Sequence, residues 1–264
     1  MSFEEVDGAR IAVWTAGEAT AAPLVLVHGN GASHAWWAGM VPLLAVEHHV
    51  VVVELSGHGR SDHRDHYSWQ VWAAEVAAVI RSLGGSAILA GHSMGGMVAC
   101  VAAASYPRLV RRLVVFDAYP RRRRTDEQAG PPQPRRYYRR REDLAARFRL
   151  RPAQSLPGPE LTRLLIDAAL TRTPHGWTWR SDPAARVDRT DPVLDRVVSR
   201  IECHTTWVFS QHSAHLQAAA PRIAEESSAP YTMVSVPRTH HHLMLEEPAV
   251  CAALLIAPNS HRID

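Results

Sequence analysis

The amino-acid sequence predicts a doubly wound α/β fold with a parallel sheet and a helical insertion. Nearly all-apolar runs of strand length, such as LVLV at 24–27 and VVVV at 50–53, indicate strands that are covered on both faces. Segments with helical spacing lie between these runs, an alternation that favours helices on both sides of the sheet. The alternation stops near residue 121 and returns near residue 201. We therefore expect a core formed by residues 1–120 and 201–264, with residues 121–200 as an inserted helical lid.

The predicted strands and helices follow from these patterns in chain order. Strands are predicted at 9–17, 23–30, 48–62 (ending in a glycine turn), 86–90, 111–120, 204–210 and 231–237. Helices are predicted at 68–83 with Ser68 as the N-cap, at 96–104, and at 246–256 with Pro248 in the first turn. Within the insertion, short amphipathic segments near 137–150 and 159–171 follow a run rich in arginine and proline.

The sequence GHSMG at 91–95 is the strongest functional signal in the chain. It lies between a predicted strand and a predicted helix, where G-x-S-x-G forms a tight, strained turn that exposes the serine. Side chains at Gly91 or Gly95 would collide with the neighbouring strand or helix. The turn lifts the hydroxyl of Ser93 to a helix N-terminus, whose amides and dipole favour a developing anion. Ser93 is therefore the candidate nucleophile.

Two further motifs, together with GHSMG, resemble the α/β-hydrolase superfamily over nearly the whole chain. The sequence HGNG at 28–31 matches the H-G-x-G turn after an early strand, and LSGHGRSD at 55–62 matches an L-x-G-x-G-x-S-D turn. Glu54 stands where that family usually has aspartate. The resemblance implies a mostly parallel sheet of about eight strands, with a helical lid inserted after the strand that ends at Asp117. It also implies an oxyanion hole made by the main-chain N–H groups of Asn30 and Met94.

The candidate general base is a histidine in the run HHHLMLEEP at 240–248. In the family, the last helix follows a histidine with an acid five positions later and a proline seven positions later. Glu246 and Pro248 therefore identify His241 as that histidine, while His240 takes the position that glycine usually holds. Three adjacent histidines also suggest a metal site. Adjacent side chains in an extended segment diverge, and no H-E-x-x-H spacing occurs, so no metal is expected.

In this family, an acidic residue completes a catalytic triad with the serine and the histidine. The position of that acid in this chain departs from the family's commonest pattern. Ser213 occupies the position at which most relatives carry the acid, and a serine cannot hold a charge beside an imidazolium. Asp117, at the end of the run LVVFD, is the natural substitute, because some branches of the family carry their acid at that strand end. Glu202 and Asp195 are alternatives. A purely structural interpretation has Asp117 capping the following turn.

Tryptophans near the predicted site have two interpretations. Trp36 and Trp37 follow the HGNG turn, and Trp177 and Trp179 lie in the insertion. Each can line an acyl pocket or pack in a core. The tracts 145–152 and 176–183 resemble lid segments of a bacterial subgroup that also has serine at the position of Ser213, which supports Asp117 as the acid. His92 is expected to serve packing.

Composition favours an enzyme of the cytoplasm. The chain has 264 residues, 46% of them hydrophobic, which is enough for one sizeable core. No uncharged apolar window of membrane-spanning length and no signal-peptide pattern occurs, so neither a membrane span nor export is expected. The three cysteines are far apart, and each is interpreted as a buried apolar thiol.

The chain contains no lysine, so every basic residue other than histidine is an arginine. The arginines are unevenly distributed. The net charge is +3, yet residues 121–151 contain twelve arginines against four acids. No nucleic-acid-binding motif accompanies this run, so nucleic acid is not an expected partner. A solvated face or a mobile loop is the default interpretation. A third interpretation is that some of these arginines meet an anionic substrate or partner at the entrance of the site.

These residues predict a serine hydrolase that cleaves a small carboxylic ester, lactone or related acyl substrate through an acyl-enzyme. No metal or organic cofactor is implied, and the sequence indicates no oligomeric state. A serine nucleophile argues against the haloalkane dehalogenase and epoxide hydrolase branches, which place aspartate there. Two alternatives stay open at this stage. One is a lyase, cyclase or C–C bond hydrolase of a natural-product or aromatic pathway, and the other is a ligand receptor with little turnover.

Overall fold

The computed structural model describes residues 1–122, 134–186, 188–213 and 216–257, and it contains one large sheet and one small sheet. The strands of the large sheet are β1 (Ser2–Val6), β2 (Ala9–Ala16), β3 (Ala22–Val27), β4 (His48–Val53), β5 (Ala87–His92), β6 (Val110–Phe116), β9 (Thr205–Ser210) and β10 (Tyr231–Val236). The small sheet pairs β7 (Leu170–Thr173) with β8 (Gly176–Trp179).

The large sheet has eight strands in the order β1-β2-β4-β3-β5-β6-β9-β10. β2 runs antiparallel to both of its neighbours, and all the other pairs are parallel. The prediction of a mostly parallel, doubly wound sheet of about eight strands is therefore confirmed. Because β3 to β6 are parallel neighbours, their carboxyl ends lie at one edge of the sheet, where ligand sites form in such folds.

The helices are α1 (Val41–Leu44), α2 (Trp69–Ser82), α3 (Met94–Ser105), α4 (Arg141–Ala145), α5 (Pro159–Ala169), α6 (Leu216–Glu226), α7 (Leu243–Glu246) and α8 (Pro248–Ile256). The hydroxyl of Ser68 accepts a hydrogen bond from the amide of Val71 at 3.1 Å, so the predicted N-cap of α2 is confirmed. The helix predicted at 246–256 corresponds to α8, which begins at Pro248, and the short helix α7 precedes it. Proline is tolerated there because the first-turn N–H groups have no intrahelical acceptor.

Two apolar clusters cover the two faces of the large sheet. One contains side chains of α2 and α3 together with Leu113 and Trp207, and the other contains Trp37, Phe116 and residues of α8. Every residue of α3 from Met94 to Ala103 is buried. A helix that is apolar on all sides must be enclosed by the core, and this enclosure fixes the position of the first turn of α3.

The segment between β6 and β9, residues 121–200, packs onto the core through side chains where the structure describes it. Its described part holds α4, α5 and the β7–β8 hairpin, and the hairpin does not follow from the apolar spacing. Phe148, Leu150 and Leu165 join the second apolar cluster. The hydroxyl of Tyr67 donates to the Asp182 carboxylate at 2.7 Å. Residues 123–133, which belong to the run rich in arginine and proline, lie outside the described residues.

Candidate active site

The GHSMG sequence forms a tight turn between β5 and α3. Ser93 has φ +55° and ψ −120°, a left-handed conformation that is unfavourable for a residue with a side chain. A Cβ at Gly91 would lie 2.2 Å from the carbonyl oxygen of Gly95, and one at Gly95 would lie 2.3 Å from that of His28. These contacts are prohibitive, so glycine is required on both sides of Ser93. The expected steric role of both glycines agrees with this geometry.

A continuous chain of hydrogen bonds joins three side chains at the carboxyl edge of the sheet. Nε2 of His241 lies 3.0 Å from Oγ of Ser93, and Nδ1 of His241 lies 2.7 Å from Oδ2 of Asp117. The side chain of Asp117 is 1% exposed and that of His241 is 12% exposed. Because a carboxylate only accepts, Nδ1 carries the proton and Nε2 presents its lone pair to the serine. The three residues selected from the sequence are therefore in contact in the folded chain.

Asp117 is held in place by the ends of two strands. It follows β6, has φ +46°, and its amide donates to the carbonyl of Val208 at 2.7 Å. Its Oδ1 accepts hydrogen bonds from the amide of Ser210 at 3.1 Å and from the Ser210 hydroxyl at 3.3 Å. A short polar side chain tolerates the left-handed conformation better than a branched or bulky one does. The backbone thus aims this carboxylate at His241.

The environment of Asp117 favours its charged form. Burial alone would raise the pKa of this carboxyl, but side-chain hydrogen bonds with His241 and Ser213, together with the charge of His241, outweigh burial and lower the pKa below its usual value. Ser213 stands at the sequence position where most relatives carry the acid. It now forms a hydrogen bond with the relocated carboxylate, and neither this role nor that of Ser210 was predicted.

The alternative acids have other surroundings. The carboxylate of Asp195 forms a salt bridge of 3.0 Å with the guanidinium of Arg122, and its side chain is about half exposed. Glu202 is an exposed residue on the segment before β9. Asp117, in contrast, is buried and directly contacts Nδ1 of His241. The geometry therefore favours Asp117 among the three candidates.

The three adjacent histidines have three different sets of partners. His240 binds the Glu246 carboxylate through its backbone amide at 2.7 Å and Nδ1 at 3.0 Å. Nε2 of His242 donates to the carbonyl of Arg151 at 3.2 Å, and burial is the main reason that its pKa falls to about 4. The expectation that adjacent side chains diverge does not hold for His241 and His242, whose ring centroids lie 5.0 Å apart. Among the described residues, no group of three or more metal-binding side chains is clustered.

His92 supports the loop that carries His241. Its Nε2 donates to the main-chain carbonyl of His241 at 2.8 Å, and its side chain is fully enclosed. Burial, followed by the charge of His241, lowers its pKa well below the usual histidine value. A neutral imidazole can therefore act here as a fixed hydrogen-bond donor, a more specific role than the packing predicted from the sequence.

The HGNG turn approaches the serine closely. An added Cβ at Gly29 would lie 3.3 Å from Cβ of Ser93. Nδ1 of His28 donates to the carbonyl of Gly29 at 2.8 Å, and its Nε2 accepts from the amide of Leu55 at 3.2 Å. Asn30 follows at the exposed tip of this turn, and Met94 is the first residue of α3. First-turn amides of a helix have no intrahelical acceptor, which leaves the N–H of Met94 suitable for an external anion.

The four predicted tryptophans lie in different environments. Trp37 is fully buried and packs edge-on against Phe116 with ring centroids 6.0 Å apart, which favours the core-packing interpretation for this residue. Trp36 and Trp179 both contact Phe148 of the inserted segment, with centroid separations of 6.1 and 6.4 Å. Trp177 pairs through its backbone with Tyr138. Trp36 and Trp179 thus lie where the insertion meets the core.

Glu54 joins the segment after the HGNG turn to the LSGHGRSD turn. Its Oε1 accepts from the amide of His34 at 3.1 Å and lies 2.8 Å from Nδ1 of His34, while its Oε2 accepts from the amide of Arg60 at 2.8 Å. The ring of Trp14 stacks on His34 at 3.7 Å. Burial would raise the pKa of Glu54, but the bonds from His34 and Arg60 lower it to about 2. The glutamate at the family's aspartate position thus has a structural role.

We expect Glu54→Gln to destabilise the protein most at neutral pH. A pKa lowered from 4.5 to about 2 in the folded chain stabilises it above the unfolded value and loses that effect as the pH falls toward 2. One pKa unit corresponds to about 1.4 kcal/mol, so the charge is worth about 3 kcal/mol at pH 7. Urea unfolding of both proteins from pH 7 to pH 3.5 should show their stability difference shrinking with acidification.

Glu18→Gln is the matched control, because it makes the same change at an exposed carboxylate. This variant should stay within about 0.5 kcal/mol of the wild type. A stability difference for Glu54→Gln that is constant across the pH range would contradict the assigned role of the charge.

Comparison with known proteins identifies the family. A sequence profile described as the alpha/beta hydrolase family matches residues 24–254. Since the match includes most of the chain, the protein belongs to the alpha/beta hydrolase family. The thioesterase domain from the curacin biosynthetic pathway superposes with a TM-score of 0.78 at 24% identity, covering 97% of this chain and 98% of that one. At 24% identity, this structural similarity shows only that the two proteins share a fold.

Curated relatives match only part of the chain. Epoxide hydrolase 4 of Mus musculus is 32% identical over 114 residues, which are 42% of this chain and 32% of that protein. The pimeloyl-(acyl-carrier protein) methyl ester esterase of Aeromonas hydrophila is 38% identical over 98 residues, 37% of this chain and 38% of that enzyme. The matches thus span about a third of the length of these relatives.

In the described part of this chain, no helix has the length and apolar character needed to cross a membrane.

Proposed function

We propose that this protein is a serine hydrolase that cleaves a small ester, lactone or related acyl substrate. The observation that carries the proposal is the hydrogen-bonded chain from Ser93 through His241 to the buried Asp117. A serine hydroxyl is a weak nucleophile until a neighbouring base can take its proton. His241 presents an unprotonated Nε2 to Ser93, and Asp117 fixes that tautomer.

The proposed reaction has two steps. Oγ of Ser93 attacks the acyl carbonyl while Nε2 of His241 takes its proton, and the charge on Asp117 stabilises the imidazolium that forms. The main-chain amides of Asn30 and Met94 bind the oxyanion of the tetrahedral intermediate, and each such donor is worth about 3 kcal/mol. His241 then protonates the leaving group. A water molecule, activated in the same way, attacks the acyl-enzyme and regenerates Ser93.

Acyl substrates fit a serine nucleophile better than epoxides do. Attack of a serine on an epoxide would form an ether, which has no carbonyl for water to attack, whereas attack on an ester forms an acyl-enzyme that water can cleave. The partial match to an esterase of Aeromonas hydrophila supports this choice. The partial match to an epoxide hydrolase does not assign that activity to this protein, because this chain has serine at the elbow.

We further propose that residues 121–200 act as a lid that shapes the acyl pocket, with Trp36 and Trp179 at its junction with the core.

A panel of p-nitrophenyl esters of increasing acyl length, together with simple lactones, tests the proposed activity. We expect turnover of at least one of these substrates, with a preference set by the space beneath the insertion. A fluorophosphonate probe should label Ser93, because the elbow and His241 activate this hydroxyl. Labelling without turnover of any ester or lactone would favour a receptor or a non-hydrolytic reaction. The absence of labelling would contradict the proposal.

A further inference from the structure

A cavity lies between the LSGHGRSD turn and the inserted segment. Its volume is about 380 Å³, within the range of small-molecule pockets. The carboxyl ends of β4 and β5 are separated by one intervening strand, β3, so the turn after β4 starts about 10 Å from the elbow. Its lining includes Arg60, His63, Arg135, Thr171, Thr173 and Arg180, and does not include Ser93, His241 or Asp117.

The lining of the cavity concentrates positive charge. Three arginines, Arg60, Arg135 and Arg180, line it, and none of its described lining residues is an aspartate or a glutamate. Within the described residues, the guanidinium groups of Arg60 and Arg180 make no ion pair or hydrogen bond. Burial, followed by the charge of Arg60, lowers the pKa of Arg180. Two cations that repel each other therefore line the same cavity.

Two carboxylates near the cavity, those of Glu54 and Asp182, already have hydrogen-bond partners. Both oxygens of Glu54 accept hydrogen bonds from His34 and from the amide of Arg60, so this carboxylate acts on Arg180 only through its charge. The Asp182 carboxylate accepts from the hydroxyl of Tyr67 at 2.7 Å and lies 3.5 Å from Nδ1 of His63. The guanidinium groups of Arg60 and Arg180 therefore keep N–H donors that an external anion could bind.

Arg135 is held in a fixed orientation on the wall of this cavity. Its guanidinium donates to the carbonyls of Trp179 at 2.7 Å and Ser181 at 3.4 Å. Two of the five guanidinium N–H groups are used in this way, and others stay available. The hydroxyl of Thr171 on β7 adds a neutral donor on the same wall, whereas the hydroxyl of Thr173 already donates to the carbonyl of Gly176 at 3.0 Å. The lining thus combines charged planar donors with a hydroxyl donor, a set that suits tetrahedral oxyanions.

We propose that this cavity binds a small molecule through a phosphate-type oxyanion, with Arg60 from the core and Arg180 and Arg135 from the insertion as its charged contacts. Three cations match a dianion or trianion better than a single carboxylate, and the volume exceeds that of a lone phosphate. Because the ligand would bridge the core turn and the inserted segment, its binding holds these two parts together. The site does not depend on the proposed hydrolysis, since none of its charged contacts belongs to the triad.

Binding of inorganic pyrophosphate, measured by calorimetry at low ionic strength, tests the proposal. We expect saturable 1:1 binding that weakens as salt is added, and thermal protection in the same concentration range. Arg60→Gln and Arg180→Gln should each weaken binding about tenfold, the effect of losing one charge-assisted contact. The Arg60→Gln variant is expected to fold normally, because the side chain of Arg60 is exposed and only its amide contacts Glu54.

Arg163→Gln is the matched control, as it removes the same charge from an exposed position on α5 of the insertion. It should leave pyrophosphate binding unchanged, and Ser93→Ala should do the same whether or not the protein is a hydrolase. The proposal is overturned if pyrophosphate does not bind saturably, or if Arg163→Gln weakens binding as much as Arg60→Gln. Succinate binding as tightly as pyrophosphate would overturn the assignment to a phosphate-type group.

Discussion

Ser93→Ala is expected to lower kcat on the best ester substrate by about 10⁶-fold, the scale seen when a triad nucleophile is removed. Alanine keeps the Cβ, so the left-handed backbone at φ +55° carries no additional strain and the elbow should fold normally. Only Oγ is lost, and with it the hydrogen bond of 3.0 Å to His241. Steady-state kinetics and the mass shift on fluorophosphonate labelling provide the two measurements.

Ser105→Ala controls for effects of a serine-to-alanine change on α3. Ser105 lies at the opposite end of this helix and is exposed, so its variant should keep full activity and full labelling. Circular dichroism and thermal unfolding should give the same curves for both variants as for the wild type. If Ser93→Ala retained turnover within tenfold of the wild type, Ser93 would not be the nucleophile and the proposed function would fail.

The fold was predictable because its strongest signals are local. All-apolar runs such as that of β4 identify buried strands without any knowledge of their neighbours. β1 was not predicted, because its charged residues Glu4 and Glu5 mask a strand that pairs only with β2 at the edge of the sheet. The β7–β8 hairpin was not predicted for a different reason, because each of its strands is only four residues long.

The site was predictable only where a motif fixes a residue. Ser93 and His241 follow from short sequence signatures, and the structure brings these two side chains together across 148 positions of sequence. Partners that depend on the meeting of strand ends carry no such signature. Ser210 and Ser213 follow β6 by about a hundred positions and yet contact Asp117, because β6 and β9 are parallel neighbours. Cavities such as the arginine-lined one likewise form from distant segments.

Asp117→Asn is expected to lower kcat by about 10⁴-fold without unfolding the protein. Asparagine has the same shape and tolerates the left-handed backbone at φ +46°, so β6 and the following turn should be preserved. The amide cannot stabilise an imidazolium, and its NH₂ group can donate to Nδ1 and force the proton onto Nε2. Nε2 could then no longer accept the proton of Ser93. kcat on the ester substrate, with stability followed by urea unfolding, measures both consequences.

Three further variants decide which carboxylate is the acid. Asp195→Asn and Glu202→Gln should keep at least half of the wild-type activity, because Asp195 pairs with Arg122 and Glu202 is exposed. Ser213→Ala should have an intermediate effect of about tenfold, as it removes one of several bonds that hold the Asp117 carboxylate. If Asp117→Asn retained near-normal activity while Glu202→Gln or Asp195→Asn lost it, the acid would lie elsewhere. Near-normal activity in all three carboxylate variants would instead indicate a serine–histidine dyad, in which the contact of 2.7 Å between Asp117 and His241 is structural alone.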